Sequence, residues 1–178
     1  MNKGIKGIFT VTAIAGALAL SGCKSTEPAG RHACAELSPA NGSSVHGTVD
    51  FYETSKGVHV VAKVSGLTAG KHGFHVHEKG DCSATDASSA GGHFNPTGAK
   101  HGGPNDAERH AGDFGNITAG ESGTATADFV DSHISFDGPN SIIGRGVIVH
   151  ANPDDLKSQT PTPGNAGKRV ACGNIQLH

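Results

Sequence analysis

From residue 45 onward the chain alternates apolar and polar positions with a period of two. Val45, Gly47, Val49 and Phe51 alternate with His46, Thr48, Asp50 and Tyr52; Val58, Val60, Ala62 and Val64 alternate with His59, Val61 and Lys63. Successive side chains of a strand point to opposite faces, so each run reads as a strand with one face in a core. Ser55-Lys56-Gly57 between the runs reads as a turn and makes the pair a hairpin. Shorter runs predict strands at 72–78, 124–130, 146–150 and 170–175. No stretch shows a convincing 3.6-residue apolar repeat, and the chain holds 27 glycines. An antiparallel Greek-key β-sandwich or barrel is therefore expected. Two long segments break the rhythm, 79 to about 113 and 151–168. Structureless stretches of that length in a compact domain are usually functional loops.

The amino terminus changes the domain count. MNKGIKG carries two lysines and no acid, and IFTVTAIAGALAL continues it as an apolar run too short for a stable membrane span. Residues 1–22 read as a signal peptide. The run closes in Leu20-Ser21-Gly22-Cys23, which resembles the lipobox of bacterial lipoproteins, in which cleavage leaves the cysteine as a lipid-bearing first residue. Residues 23–31 then read as a lipidated tether, small and polar, and 32–178 as one domain. The formal charge of −2 becomes −4 once Lys3 and Lys6 are removed, which excludes the basic signature of nucleic-acid binding. Lipid on Cys23 would supply the membrane partner, in the periplasm or at the outer membrane or cell surface.

Export decides how the cysteines are read, because disulfides persist outside the cytosol. With Cys23 lipidated, Cys34, Cys82 and Cys172 remain, so one is left over. In HACAEL the alternation points Cys34 inward, where it reads as a buried free thiol, and Cys82 with Cys172 is the better pair.

Candidate chemistry gathers in and beside the long segments. GFHVHEKGDC places His75 and His77 two residues apart on a predicted strand, which presents both imidazoles to one face while Val76 enters the core. The pair also opens the HxHxDH motif of zinc hydrolases, but Lys79 and Gly80 stand where that motif needs its Asp and last His. His93, His101, His110 and Asp113 follow, a donor set suited to a closed tetrahedral zinc site. Val147-Ile-Val-His150 ends a buried strand with a further imidazole.

Taken together, GFHVHEKGDC, SAGGHFNPTGAKHGGPNDAERHAGDFGN, IIGRGVIVH followed by DDL, and GNAGKRVACG resemble the copper-zinc superoxide dismutases, from about Ala33 to Ile175. The resemblance implies copper on His75, His77, His93 and His150, and zinc on His93, His101, His110 and Asp113, with His93 bridging both. It implies superoxide as substrate, Arg169 as the group that attracts and orients the anion, and Asp154 as the carboxylate linking a copper histidine to a zinc histidine. It also implies that a Cys82–Cys172 disulfide pins the metal loop beside the strand of Arg169. Segment 151–168 is shorter than in many animal and plant members and lacks their acidic pair, so steering by Lys157 and Lys168 is left open. A homodimer is allowed but not fixed by the sequence. The alternative is a periplasmic copper and zinc store without turnover, which has no use for Arg169 or a bridging His93.

Overall fold

The computed structural model describes residues 30–159 and 161–178. The residues expected to form a signal peptide, Cys23 and most of the expected tether thus lie outside the described residues. Nine strands follow in order: β1 His32–Pro39, β2 His46–Thr54, β3 Gly57–Ser65, β4 Gly70–His77, β5 Asp113–Ala119, β6 Ala125–Asp131, β7 Gly146–His150, β8 Arg169–Asn174 and the two-residue β9 Gln176–Leu177. No α-helix occurs among the described residues.

Eight strands close into an antiparallel barrel in the order β2-β3-β6-β5-β4-β7-β8-β1, with β1 pairing back onto β2 and β9 lying outside β1. The connections β3–β4 and β6–β7 cross between non-adjacent strands, which is the Greek-key arrangement. Of the sandwich or barrel expected, the closed form is what the pairing gives, and closure removes the exposed sheet edges. The β2–β3 hairpin runs in unbroken register from His46↔Ser65 to Thr54↔Gly57, with Ser55 and Lys56 alone as the turn.

Alternation fills the interior as expected. Val49 and Phe51 of β2, Val58, Val60, Ala62 and Val64 of β3, Phe74 and Val76 of β4 and Val147 and Val149 of β7 form one apolar cluster. The intervening residues of β4 and β7 face outward, which places His75, His77, Ile148 and His150 on the barrel exterior beneath the two long segments. A second, smaller cluster seals that exterior layer: Ala40, Ala87, Ala90, Ile148 and Cys172, with Cys82 against them.

On β1, Ala33, Ala35 and Leu37 join the main cluster, so the same alternation turns Cys34 to the opposite face. Cys34 is buried there and is not the free thiol expected. Arg31, assigned to the tether, is held against the barrel by ion pairing with Asp137 and by stacking over Phe136 at 5.4 Å.

Candidate metal centre

The long segments reach the barrel through backbone bonds to β4. Val76 N donates to Gly112 O at 3.0 Å, Phe94 N to Val76 O at 2.9 Å and Gly112 N to Phe94 O at 2.9 Å. This three-way clamp needs a glycine: a Cβ at Gly112 would lie 2.2 Å from the Val76 carbonyl oxygen. It sets His93 beside His77 on one side and delivers His110 and Asp113 on the other. The Cys82–Cys172 disulfide ties the start of the same segment to β8.

Two donor groups result, His75, His77, His93 and His150 in one and His93, His101, His110 and Asp113 in the other, all seven residues buried and His93 common to both. In the first group each ring has one nitrogen engaged by the protein. His75 Nε2 meets Asp154 Oδ2 at 2.6 Å, His77 Nδ1 donates to Gly91 O at 3.0 Å, and His150 Nδ1 donates to Gly167 O at 3.1 Å. The opposite nitrogens, His75 Nδ1, His77 Nε2 and His150 Nε2, are buried with no hydrogen-bond partner. Buried polar atoms are almost always satisfied, and each orphan costs about 1–3 kcal/mol. Three orphans facing one point, each with its tautomer fixed from behind, fit a metal that accepts imidazole nitrogen.

The second group converges on one oxygen. His93 Nδ1 lies 2.8 Å, His101 Nδ1 3.0 Å and His110 Nδ1 3.1 Å from Asp113 Oδ1. The His101 contact is not aligned as a hydrogen bond, and that nitrogen counts among the orphans. Tetrahedral zinc with bonds of about 2.0–2.1 Å places its donors roughly 3.3 Å apart, so the spacing fits a zinc set. Asp113 Oδ2 accepts from His110 N at 2.9 Å and Gly102 N at 3.2 Å, which fixes the carboxylate.

Asp154 joins the two groups, with Oδ2 on His75 Nε2 and Oδ1 on His101 Nε2 at 3.0 Å. Its own place depends on Gly164, whose left-handed backbone (φ +69°) lets segment 151–168 pass so close that a Cβ there would sit 2.3 Å from Oδ1.

Protonation follows from burial and neighbours. Burial, with His75 nearby, lowers His93 to about 4; burial and His75 lower His150 to about 3; His77 is also held well below its usual value, first by burial. All three are neutral at pH 7 and present lone pairs. Burial opposes charge on His101 as well, but the carboxylates of Asp113, in contact at 3.0 Å, and of Asp154, its hydrogen-bond partner, outweigh it and raise that ring to about 9. Burial would raise both carboxyls, yet the imidazole bonds hold Asp113 and Asp154 below the usual carboxylate range.

The first group opens to solvent through a cleft of about 500 Å³ lined by His77, His93, His150, Thr162, Lys168 and Arg169. Arg169 Nη1 donates to Ala87 O and Nη2 to Gly91 O, both at 2.6 Å, so the guanidinium is fixed at the cleft wall. Lys157 does not line that cleft.

Sequence reasoning missed two side chains that hold the second group. Arg109, 4% exposed, donates through Nη1 to His110 O at 3.0 Å and pairs through Nη2 with Asp131. Gln159 grips His101 by its backbone, accepting from His101 N at 2.9 Å and donating to His101 O at 3.0 Å. The one signal for Arg109 was its place directly before His110.

Residues 45–175 match the family model described as copper/zinc superoxide dismutase (SODC). A curated relative, Superoxide dismutase [Cu-Zn] 2 of Brassica juncea, is 52% identical over 138 residues, covering 75% of this chain and 90% of its own length. Among solved structures, the one reported as a crystal structure analysis of the clock protein EA4 superposes with a TM-score of 0.76 at 43% identity, over 88% of this chain and all of the other.

Proposed function

The chain belongs to the copper/zinc superoxide dismutase family, and on that premise we propose how its own residues carry out the conversion of superoxide to oxygen and hydrogen peroxide: His75, His77, His93 and His150 hold copper, and His93, His101, His110 and Asp113 hold zinc. The observation that carries this assignment is the set of orphaned nitrogens, each backed by a protein acceptor on the far side of its ring. Copper, once bound, supplies a one-electron cycle that oxidises one superoxide and reduces the next, while zinc has no redox chemistry and orders its ligands.

The remaining work falls to side chains. Arg169 draws the anion into the cleft and orients it, and its fixed direction means no reorganisation is needed when the anion arrives. Reduction to peroxide consumes two protons. His93 Nε2, on the ring edge away from Asp113, is the atom at which the chain takes up one of them and hands it on. Asp154 fixes the tautomers of His75 and His101, so each turns Nδ1 towards its metal.

The assignment is tested by metal content. His150→Ala should lose copper and keep zinc, since His150 belongs to the first group alone; Asp113→Ala should lose zinc first. Retention of stoichiometric copper by His150→Ala would exclude it as a ligand.

The enzyme is further proposed to be exported and anchored by lipid on Cys23, at the periplasmic or cell-surface side of a membrane. LSGC at the end of an apolar run supports this, as does a Cys82–Cys172 disulfide of the kind that persists in oxidising compartments. Detergent partitioning and intact mass check it: Cys23→Ser should move the protein to the aqueous phase, and an unlipidated parent would contradict the anchor.

A further inference from the structure

Arg169 is held by more than its guanidinium. The β1–β2 connection turns at Ala40–Ser43, closed by Ser43 N donating to Ala40 O at 3.0 Å. Both central residues are left-handed, Asn41 at φ 54° and Gly42 at φ 72°, as a type I′ turn requires and as Asn-Gly favours. From that turn Asn41 Nδ2 donates to Arg169 O at 2.9 Å and to Asp86 O at 3.4 Å, while Asn41 N donates to Thr85 O at 2.8 Å. Asp86 directly precedes Ala87, whose carbonyl takes Arg169 Nη1. One amide group therefore clasps both the backbone that carries Arg169 and the segment that aims it.

We propose that Asn41–Gly42 is a deamidation site, and that conversion of Asn41 to an acid opens this clasp and releases Arg169. Asn41 is the sole asparagine in the sequence followed by glycine, and both residues are exposed. Without a Cβ, Gly42 leaves its amide nitrogen unshielded, and nothing lies within 4 Å of the position a Cβ would take. In the reaction the Gly42 nitrogen bonds to Asn41 Cγ, the Cγ–Nδ2 bond breaks and Nδ2 leaves as ammonia. Water then opens the cyclic imide to aspartate or isoaspartate, and no oxidant or reductant is required. Because the native turn engages Nδ2, conversion proceeds through openings of the turn and is slower than in a free peptide of the same sequence. The product carries oxygen where Nδ2 was, which removes the donor and sets a carboxylate against the Arg169 and Asp86 carbonyls.

The consequence for turnover rests on the role proposed for Arg169, but the reactivity of its guanidinium reports on the clasp independently of that role. The metal-loaded protein is aged at mildly alkaline pH and warm temperature, and peptide mass spectrometry follows conversion of every asparagine. Arg169 is titrated in parallel with phenylglyoxal, an arginine reagent, in fresh parent, aged parent, Asn41→Asp and Gly42→Ala. Asn41 should convert before any other asparagine. Arg169 should react about three- to ten-fold faster in Asn41→Asp and in the aged, converted fraction, the range for losing one hydrogen bond. Gly42→Ala should age more slowly at Asn41, and although an alanine strains the left-handed position, its Arg169 reactivity should rise less on ageing than the parent's. Earlier conversion at any other asparagine, or unchanged Arg169 reactivity in Asn41→Asp, would overturn the proposal. If Asn41→Asp does not fold, aged parent against Gly42→Ala decides the same point.

Discussion

Replacing both Cys82 and Cys172 by alanine should destabilise the barrel by several kcal/mol and slow turnover through Arg169. The bond closes a loop of sequence separation 90. In the chain-entropy treatment, cross-linking such a loop removes about 15 cal/mol/K from the unfolded ensemble, or roughly 4.6 kcal/mol at 25 °C. For a domain of this size each kcal/mol moves the melting midpoint by about 2–4 °C, so a drop of roughly 10–18 °C is expected. Alanine is the right replacement because Cys172 sits among Ala40, Ala87, Ala90 and Ile148, where a serine hydroxyl would be buried without an obvious acceptor. The functional effect has a separate route. Ala87 and Gly91, whose carbonyls fix the guanidinium, lie just beyond Cys82 on the cross-linked segment, so freeing that segment blurs the direction of Arg169. Denaturant and thermal unfolding of metal-stripped protein measure the first effect, and superoxide decay at full copper occupancy measures the second. A melting drop below about 3 °C with unchanged cooperativity would refute the reasoning, since the cross-link would then not be the main restraint on the loop.

Three further outcomes follow from the centre. Asp154→Ala leaves His75 Nε2 and His101 Nε2 without their acceptor, so affinity for both metals should fall about 10–100-fold in chelator competition; loss confined to one metal would show that Asp154 does not couple the sites. In metal-stripped protein, His93 at about 4 and His150 at about 3 bind protons less readily folded than unfolded. Their contribution is present above pH 6.5 and is lost as pH falls through that window, about 3 kcal/mol for His93 alone. His101, raised to about 9, acts oppositely, its contribution being present below pH 6.5 and lost as pH rises towards 9. Melting midpoints of metal-stripped protein should therefore peak near neutral pH and decline on both sides; a midpoint still rising from pH 7 to 9 would contradict the His101 assignment. Gln159→Ala should accelerate zinc release to a chromophoric chelator while copper stays bound, because two of its three side-chain bonds are to His101, the third going to Lys157 O, and unchanged release would assign Gln159 to loop packing alone.

The parts of this protein legible in its sequence are those where a local pattern maps onto a single geometry. Alternation at 45–64 gave the β2–β3 hairpin, and the strand parity of GFHVH placed both imidazoles on one face with Val76 in the core. β5 went unread because Phe114-Gly-Asn-Ile-Thr carries no clean alternation; the strand exists because β4 pairs with it from Gly70↔Ala119 to Gly73↔Asn116. Alternation fixed the period of β1 but not its phase, so Cys34 was placed inside when Ala33 and Ala35 are the inward pair. Gln159 and Asn41 were invisible as site residues for a different reason. Each acts on carbonyl or amide groups brought near by tertiary folding, as when Asn41 meets Arg169 across 128 positions, and no residue-type pattern encodes such a contact.

The central claim is that this centre turns over superoxide under the guidance of Arg169, rather than merely holding metal. The direct measurement is superoxide decay by stopped flow for the parent and Arg169→Glu, at low and high ionic strength, with copper and zinc quantified in each sample. The family is itself a standard instance of electrostatically steered association, so the field around Arg169 should be visible in the salt dependence. The parent should be fast and slow down as salt rises, whereas Arg169→Glu should be much slower at equal copper and speed up, because screening weakens attraction in one and repulsion in the other. Equal rates at equal copper occupancy, or a parent that binds both metals without consuming superoxide, would contradict the account.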